Sequence, residues 1–277
     1  MSIDNSVSIP TVNRYIAYSI FLNNKKEIHR LPEMIGIDEF KGNAGKYKYQ
    51  LQIIDLQTKK VVDIVKFRTY DDLEQYFSRI SNRKEVVFVT MDLYSPFKLI
   101  IQDKFFNATI VADTFHYTRL VLNVLDSARI DFQRNLSKEY RKYFKGIQKI
   151  LMMRECELTN YLKERLIEAF RICPDLKKIY DIKEKFLFVN DAIGSSEKEI
   201  LFRNWLYETE SSDMYKYFKS TINTFRTWHK YISNSFKYEL SNGITEGMNN
   251  KIKVLKRISY GFRNFDNFRN RILIACA

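Results

Sequence analysis

One acidic side chain lies in a basic, asparagine-rich stretch near the end of the sequence, Ser241 to Arg271. If this stretch is a helix turning about 100° per residue, Glu246 falls on one line with Asn250, Lys253 and Arg257. A carboxylate that shares a face with amides and cations suits a phosphate backbone, with the acid holding a metal ion. Alternatively, Glu246 occupies the first helical turn because the helix dipole favours an acid there. The opposite line is apolar and predicted to be buried: Ile244, Met248, Ile252, Leu255 and Ile258.

Three aspartates come at the ends of apolar runs that are typical of β-strands. Asp38 closes MIGID, Asp92 closes EVVFVTMD and Asp113 closes ATIVAD. One aspartate after a strand is usually a loop residue. Two at the ends of adjacent parallel strands are a candidate metal site, because Mg²⁺ prefers carboxylate oxygens.

The elements that must position these acids follow a recognisable order. MIGID, YKYQLQIIDL and VVDIVKF predict three strands in a meander, with the turn-forming residues of KGNAGK between the first two. YDDLEQYFSRI then predicts a helix capped by Asp71 or Asp72, and Ser95-Pro96 predicts the start of another. With the strands ending at Asp92 and Asp113, this order predicts an α/β fold: a ribonuclease H-like mixed sheet with β-α-β crossovers.

After about Thr118 only helical periodicity is found, with breaks at Cys173-Pro174 and Gly194-Ser195-Ser196. This predicts an all-helical insertion before the helix of Glu246. The segment VSIPTVNRYI resembles the last helix of a helix-turn-helix, although an ordinary first helix of a globular domain fits as well. The predicted divisions are a helix-turn-helix remnant or linker at 1–30, the first part of the core at 31–120, the insertion at 121–240, and the catalytic helix with a basic tail at 241–277.

The composition favours a polyanionic partner. Lysine and arginine number 46 against 33 acids, which gives a net charge of +13 and a pI near 9.4. Nucleic acid and an anionic membrane both fit this charge, but no apolar run reaches the length of a membrane span, and we expect a cytoplasmic protein. The three cysteines form no C-x-x-C pair and are expected to be free thiols. No Gly-rich phosphate loop or nucleophile elbow supports ATP hydrolysis or acyl transfer.

Four blocks of the sequence resemble, in order, the bacterial insertion-sequence transposases of the ISL group, which are DDE enzymes. The blocks are IGIDEFKG, VTMDLYSPF, ATIVADTFHYTRL and SNGITEGMNNKIKVLKRISYGFRNFDNFRNRIL. Members of that family carry a zinc-binding module and a helix-turn-helix ahead of the catalytic domain, so we expect an N-terminally truncated chain. The resemblance also implies the helical insertion into the ribonuclease H-like core.

When the family's acids are carried over by position, the resemblance implies that Asp38, Asp92 and Glu246 are the catalytic acids and hold two Mg²⁺ or Mn²⁺ ions. The neighbouring acid Glu39 is a weaker candidate, because adjacent strand residues point to opposite faces. Asp113 and His116 match the Cys/Asp-x-x-His motif of this transposase superfamily and receive a supporting role, although a histidine after a strand is more often structural.

The implied function is metal-dependent DNA strand cleavage and strand transfer of an insertion sequence, by a homo-oligomer bound to element ends and target DNA at the nucleoid. A non-catalytic DNA-binding remnant and another ribonuclease H-like nuclease are the alternatives. The tail aromatics, Tyr260 to Phe268, are expected to be core anchors rather than base-stacking platforms. The predicted DNA contacts are Asn250, Lys251, Lys253, Lys256, Arg257 and Arg263.

Overall fold

The computed structural model describes residues 8, 11, 14, 15, 18, 28–44, 48–240 and 243–276. The chain forms two compact units, one of Met1–Ile110 with Asn242–Ala277 and one of Val111–Ser241. The predicted helix-turn-helix remnant lies largely outside the described residues. The predicted divisions at 30, 120 and 240 stay predictions.

The central feature is a five-stranded mixed sheet with the strand order β3-β2-β1-β4-β5. β1 is antiparallel to β2 and parallel to β4, and β2 is antiparallel to β3. The predicted meander, crossovers and ribonuclease H-like α/β fold are therefore confirmed. The strands are β1 Met34–Phe40, β2 Gln50–Asp55, β3 Lys60–Val65, β4 Phe88–Met91 and β5 Thr109–Ala112.

The connection between β1 and β2 brings the backbone close to the core. Asn43 adopts a left-handed conformation with φ 53°, which asparagine tolerates better than most residues. Gly42 leaves no space for a side chain, because an added Cβ would lie 2.8 Å from a ring carbon of Phe268. The glycine and the asparagine therefore fit the predicted hairpin.

One face of the sheet is covered by the two C-terminal helices of the first unit, α10 (Gly243–Ile258) and α11 (Phe265–Cys276). α10 packs on β1 and α11 packs on β3. Their apolar residues join those of the strands in one buried cluster that includes Phe40, Ile54, Ile64, Ile252, Leu255, Phe268 and Ile272.

The predicted apolar line of α10 is correct except at its end. Ile252 and Leu255 are buried, and Ile244 and Met248 pack partly buried against the same cluster. Ile258 is 60% exposed, because the helix ends there and the chain turns away. In β2, the polar residues Gln50 and Gln52 are fully buried.

Two further helices of the first unit, α1 (Tyr70–Ser78) and α2 (Ser95–Lys104), pack on each other. The predicted cap of α1 was wrong, since Thr69 is the N-cap and its side chain accepts a hydrogen bond from the Asp72 amide. α2 begins at Ser95, as predicted, but its N-cap is Tyr94 rather than Ser95, and Pro96 lies in the first turn.

The second unit is helical throughout its described residues after β5, as the periodicity predicted. Trp205 and Trp228 are both 3% exposed, and the indole of Trp205 donates to the Ile182 carbonyl at 2.8 Å. The two short helices α4 and α5 were not predicted from the sequence. The helices are α3 Thr114–Gln133, α4 Lys138–Gly146, α5 Gln148–Met152, α6 Asn160–Ile172, α7 Pro174–Asp191, α8 Ser195–Glu210 and α9 Tyr215–Tyr238.

The three cysteines are free, as expected. None of the helices in the described part of the chain combines the length and the apolar character needed to cross a lipid bilayer.

Candidate active site

The register between β1 and β4 brings two acids together. Ile37 is the parallel partner of Met91, so the next position on each strand is Asp38 on β1 and Asp92 just after β4. Side chains at equivalent positions of paired parallel strands share a face, and a carboxylate oxygen of Asp38 lies within 4.8 Å of one of Asp92. Asp38 lies within β1, which continues to Phe40, and so does not end its strand as predicted.

Asp38 is 5% exposed, and its carboxylate is oriented from two sides. Oδ1 accepts from the Glu39 amide at 2.6 Å, and Oδ2 accepts from the side-chain amide of Asn249 on α10. Asn249 is itself held by Gln52 of β2, whose Nε2 donates to Asn249 Oδ1 at 2.8 Å and to the Thr245 carbonyl at 3.2 Å. This relay ties α10 to the strand that carries the first acid.

Glu39 points to the opposite face of β1 and forms an ion pair with Arg68. The hydrogen bond that Arg68 donates to the Glu39 carboxylate raises the pKa of the Arg68 guanidinium. The structure agrees with the alternation argument, because Glu39 is engaged away from Asp38 and Asp92.

Glu246 lies in the first turn of α10 and is exposed. It precedes Asn249, the residue that contacts Asp38, by three positions, so the two share a side of the helix. Among the described residues of this unit, Glu246 does not have a carboxylate oxygen within 4.8 Å of both aspartates.

The predicted line along α10 faces solvent. Glu246, Asn250, Lys253 and Arg257 are all exposed, as are Lys251 and Arg263. Lys256 differs, because burial lowers its pKa and its Nζ lies 3.4 Å from the Lys41 carbonyl oxygen.

The tail aromatics divide into two groups. Phe268 is fully buried and Phe265 is 9% exposed. Phe262 packs on Phe268, with the two ring centroids 4.7 Å apart. These three are core anchors, as predicted. Tyr260 is not, since it is fully exposed in the left-handed turn between α10 and α11.

Asp113 and His116 belong to the second unit. Asp113 is the N-cap of α3, where its Oδ1 accepts from the Phe115 amide at 3.3 Å. His116 Nε2 lies 3.6 Å from Asp113 Oδ2 one turn later. The D-x-x-H spacing therefore forms a local pair at a helix start.

The donor set of the first unit fits a hard divalent cation. Mg²⁺ and Mn²⁺ favour carboxylate oxygens and retain several waters. Asp38 and Asp92 provide such oxygens on one face of the sheet. Asp38 is buried and accepts a hydrogen bond from the Asn249 amide.

A comparison with known families agrees with this geometry. A family model of the DDE type and the ISL3 group, described as "Transposase", matches residues 35–272, which is most of the chain. The chain belongs to this transposase family. Divalent metals are used generally in the family, which accords with the paired aspartates.

Individual relatives are more distant. The transposase for insertion sequence element IS1001 of Bordetella parapertussis is 24% identical over 252 residues, which cover 88% of this chain and 61% of that protein. A protein of Lactococcus lactis subsp. lactis named ATP-dependent protease is 35% identical over 102 residues, 36% of this chain and 31% of that protein. The chain thus spans about three fifths of the IS1001 transposase and less than a third of the Lactococcus protein.

Sequence reasoning missed two residues of this candidate site, Asn249 and Gln52. The signal for Asn249 was its place one turn after Glu246, on the side of the helix that faces Asp38. Gln52 lies opposite Asp38 in the β1–β2 register, and the alternating pattern of β2 alone does not reveal that pairing.

Proposed function

We propose that this chain is the catalytic part of an insertion-sequence transposase that cleaves DNA strands and transfers the element end to target DNA. The observation that supports this proposal most strongly is the proximity of Asp38 and Asp92. The β1–β4 register holds both aspartates on one face of the sheet. Family membership supports phosphoryl transfer on DNA as the reaction.

Asp38, Asp92 and Glu246 are the residues that would hold two Mg²⁺ or Mn²⁺ ions. When bound, such ions activate the attacking oxygen and stabilise the leaving oxygen of an in-line displacement at phosphorus. Asn249 keeps one Asp38 oxygen engaged, so the carboxylate stays in one orientation. A fixed ligand costs less reorganisation during the reaction.

The exposed face of α10 would bind the DNA backbone next to these acids. Lys253 and Arg257 lie on the line of Glu246 and face solvent, where their charges can contact phosphates without holding metal. Such contacts position the strand but read no bases, so binding by this face is expected to show little sequence preference and to keep the protein at the nucleoid.

The test is strand transfer by the Asp92→Asn variant. Pre-nicked duplexes that carry the element ends are incubated with target DNA and Mn²⁺, and the joined products are measured. Replacing one carboxylate oxygen by an amide removes a charged metal ligand and conserves shape, so we expect transfer to fall at least 100-fold. Binding of the same duplex is expected to be unchanged.

Asp55→Asn is the matched control. Asp55 also ends a strand, but its Oδ1 accepts from the Gln57 amide in a turn, a role that asparagine can fill. Transfer by Asp92→Asn at the rate of Asp55→Asn would refute the proposal. Un-nicked element-end duplexes, incubated with the unaltered chain, separate the alternatives. Binding with neither cleavage nor joining would favour a DNA-binding remnant, and cleavage without joining would favour another ribonuclease H-like nuclease.

A further inference from the structure

The second unit has a basic segment that is separate from the proposed site. Residues 134–149 contain six lysines and arginines and a single acid, Glu139, which gives a net charge of +5. The remainder of 111–241 contains 17 lysines and arginines and 17 acids. All of the net charge of this unit is therefore concentrated in one short segment.

The lysines of this segment form one face of helix α4. At 100° per residue, Lys138, Lys142 and Lys145 fall within about 60° of one another, and Lys149 follows at the start of α5. All four are exposed, whereas Phe144 and Ile147 on the opposite side are fully buried. We call Lys138, Lys142, Lys145 and Lys149 the lysine stripe.

The lysine stripe has no acid against it. Within the described residues, the side chains of its four members make no ion pair and no hydrogen bond. The exposed lysines of α7 differ. Lys177 pairs with Asp181, Lys178 with Asp213 and Lys185 with Glu208, each at 2.6 Å. The stripe thus presents positive charge to an external partner, whereas the charges on α7 are balanced within the unit.

The turn before α4 is held by other groups, so the stripe lysines are not needed for it. Arg141 donates from Nε to the Leu136 carbonyl at 2.9 Å and from a terminal nitrogen to the Arg134 carbonyl at 2.7 Å. Ser137 is the N-cap of the helix. The stripe can therefore be altered without removing the contacts that form α4.

We propose that the lysine stripe is a second DNA-binding surface, which binds the phosphate backbone of a duplex. This inference rests on the proposed function, because that function makes DNA the partner. From Lys138 to Lys145 the helix rises about 10 Å, a length that covers about three base-pair steps of one strand. An anionic membrane fits less well, because interfacial helices insert an apolar face and the apolar face of α4 is buried.

The test measures duplex binding at increasing salt concentration, in EDTA, by fluorescence anisotropy. The triple variant Lys142→Gln, Lys145→Gln, Lys149→Gln removes three stripe charges and keeps good helix formers. The matched control, Lys216→Gln, Lys219→Gln, Lys230→Gln, removes three exposed charges from α9 of the same unit. Each phosphate contact contributes about 0.9 to the slope of log affinity against log salt. We expect the stripe variant to lower the magnitude of the slope by about 2 to 3 and the control to leave it unchanged.

A third variant, Lys253→Gln, separates this inference from the proposed function. If Lys253→Gln lowers the magnitude of the slope by about one and the stripe variant leaves the slope unchanged, the stripe proposal is wrong while the proposed function stands. If only the stripe variant lowers it, the stripe is supported and the α10 contact is not. The inference would also be overturned if the stripe variant weakens binding to phosphatidylserine vesicles but leaves binding to duplex DNA unchanged. Circular dichroism melting of each variant checks that the helices are retained.

Discussion

At the scale of single residues, the orientation of Asp38 depends on Asn249. The Asn249 amide is the side-chain donor to Asp38 Oδ2, and Gln52 fixes that amide by occupying its oxygen. Removing this donor takes away one of the contacts that orient the buried carboxylate. Partners of metal ligands contribute about 10- to 100-fold to metal affinity.

We therefore expect Asn249→Ala to weaken Mn²⁺ binding by about 10-fold or more, measured by electron paramagnetic resonance of free Mn²⁺. The control is Asn250→Ala, because Asn250 is adjacent but exposed and should contact DNA. That variant should retain Mn²⁺ affinity and lose some duplex affinity. Equal Mn²⁺ affinity in the two variants would show that Asn249 does not position the site.

At the scale of elements, the first unit is held together by a buried charge that joins a strand to two helices. Asp63 of β3 accepts from Arg269 of α11 at 2.6 Å and from the Tyr76 hydroxyl of α1 at 2.9 Å. Burial raises the pKa of Tyr76, so its hydroxyl remains a donor at neutral pH. Arg269 thus has a structural role, although it lies in the basic tail.

Arg269→Ala should lower the free energy of unfolding by about 3 kcal/mol, since it leaves the charge of Asp63 buried without its ionic partner. Urea denaturation followed by circular dichroism measures this. Arg263→Ala, at an exposed position of the same tail, should change stability by less than about 0.5 kcal/mol. A similarly small change in the free energy of unfolding for Arg269→Ala would show that Arg269 has no structural role.

The sequence predicted most elements because their patterns were long and strongly periodic. The β1, β4 and β5 strands were evident as apolar runs, and α7, α8 and α9 as long helical repeats. Helix α4 was missed because it is rich in charge and only Phe144 of its nine residues is buried, and α5 was missed because it has only five residues. The burial of Gln52 could not be predicted, since it depends on Asn249, which is 197 positions away in the chain.

For the site itself, the sequence indicated the acids but not their contacts. Asp38 and Asp92 were identifiable from strand patterns and from the family resemblance, and strand pairing brings them together. Asn249 and the Asp63–Arg269 pair depend on how α10 and α11 pack on the sheet. Local periodicity carries no information about that packing.

At the scale of the whole molecule, the positive charge is concentrated in two segments. The tail from Ser241 to Ala277 contains seven lysines and arginines and two acids, and residues 134–149 contain six and one. Each segment has a net charge of +5, so together they account for +10 of the +13 of the chain. Most of the lysines and arginines of both segments are exposed, which fits a protein that contacts a polyanion at more than one place.

We infer that Asp38 and Asp92 share a divalent metal ion, and anomalous diffraction from crystals soaked in Mn²⁺ locates such an ion. We predict a Mn²⁺ peak about 2.1 Å from an oxygen of each aspartate, and its loss in Asp92→Asn but not in Glu39→Gln. A peak that persists in Asp92→Asn, or Mn²⁺ bound only at other acids, would contradict the account.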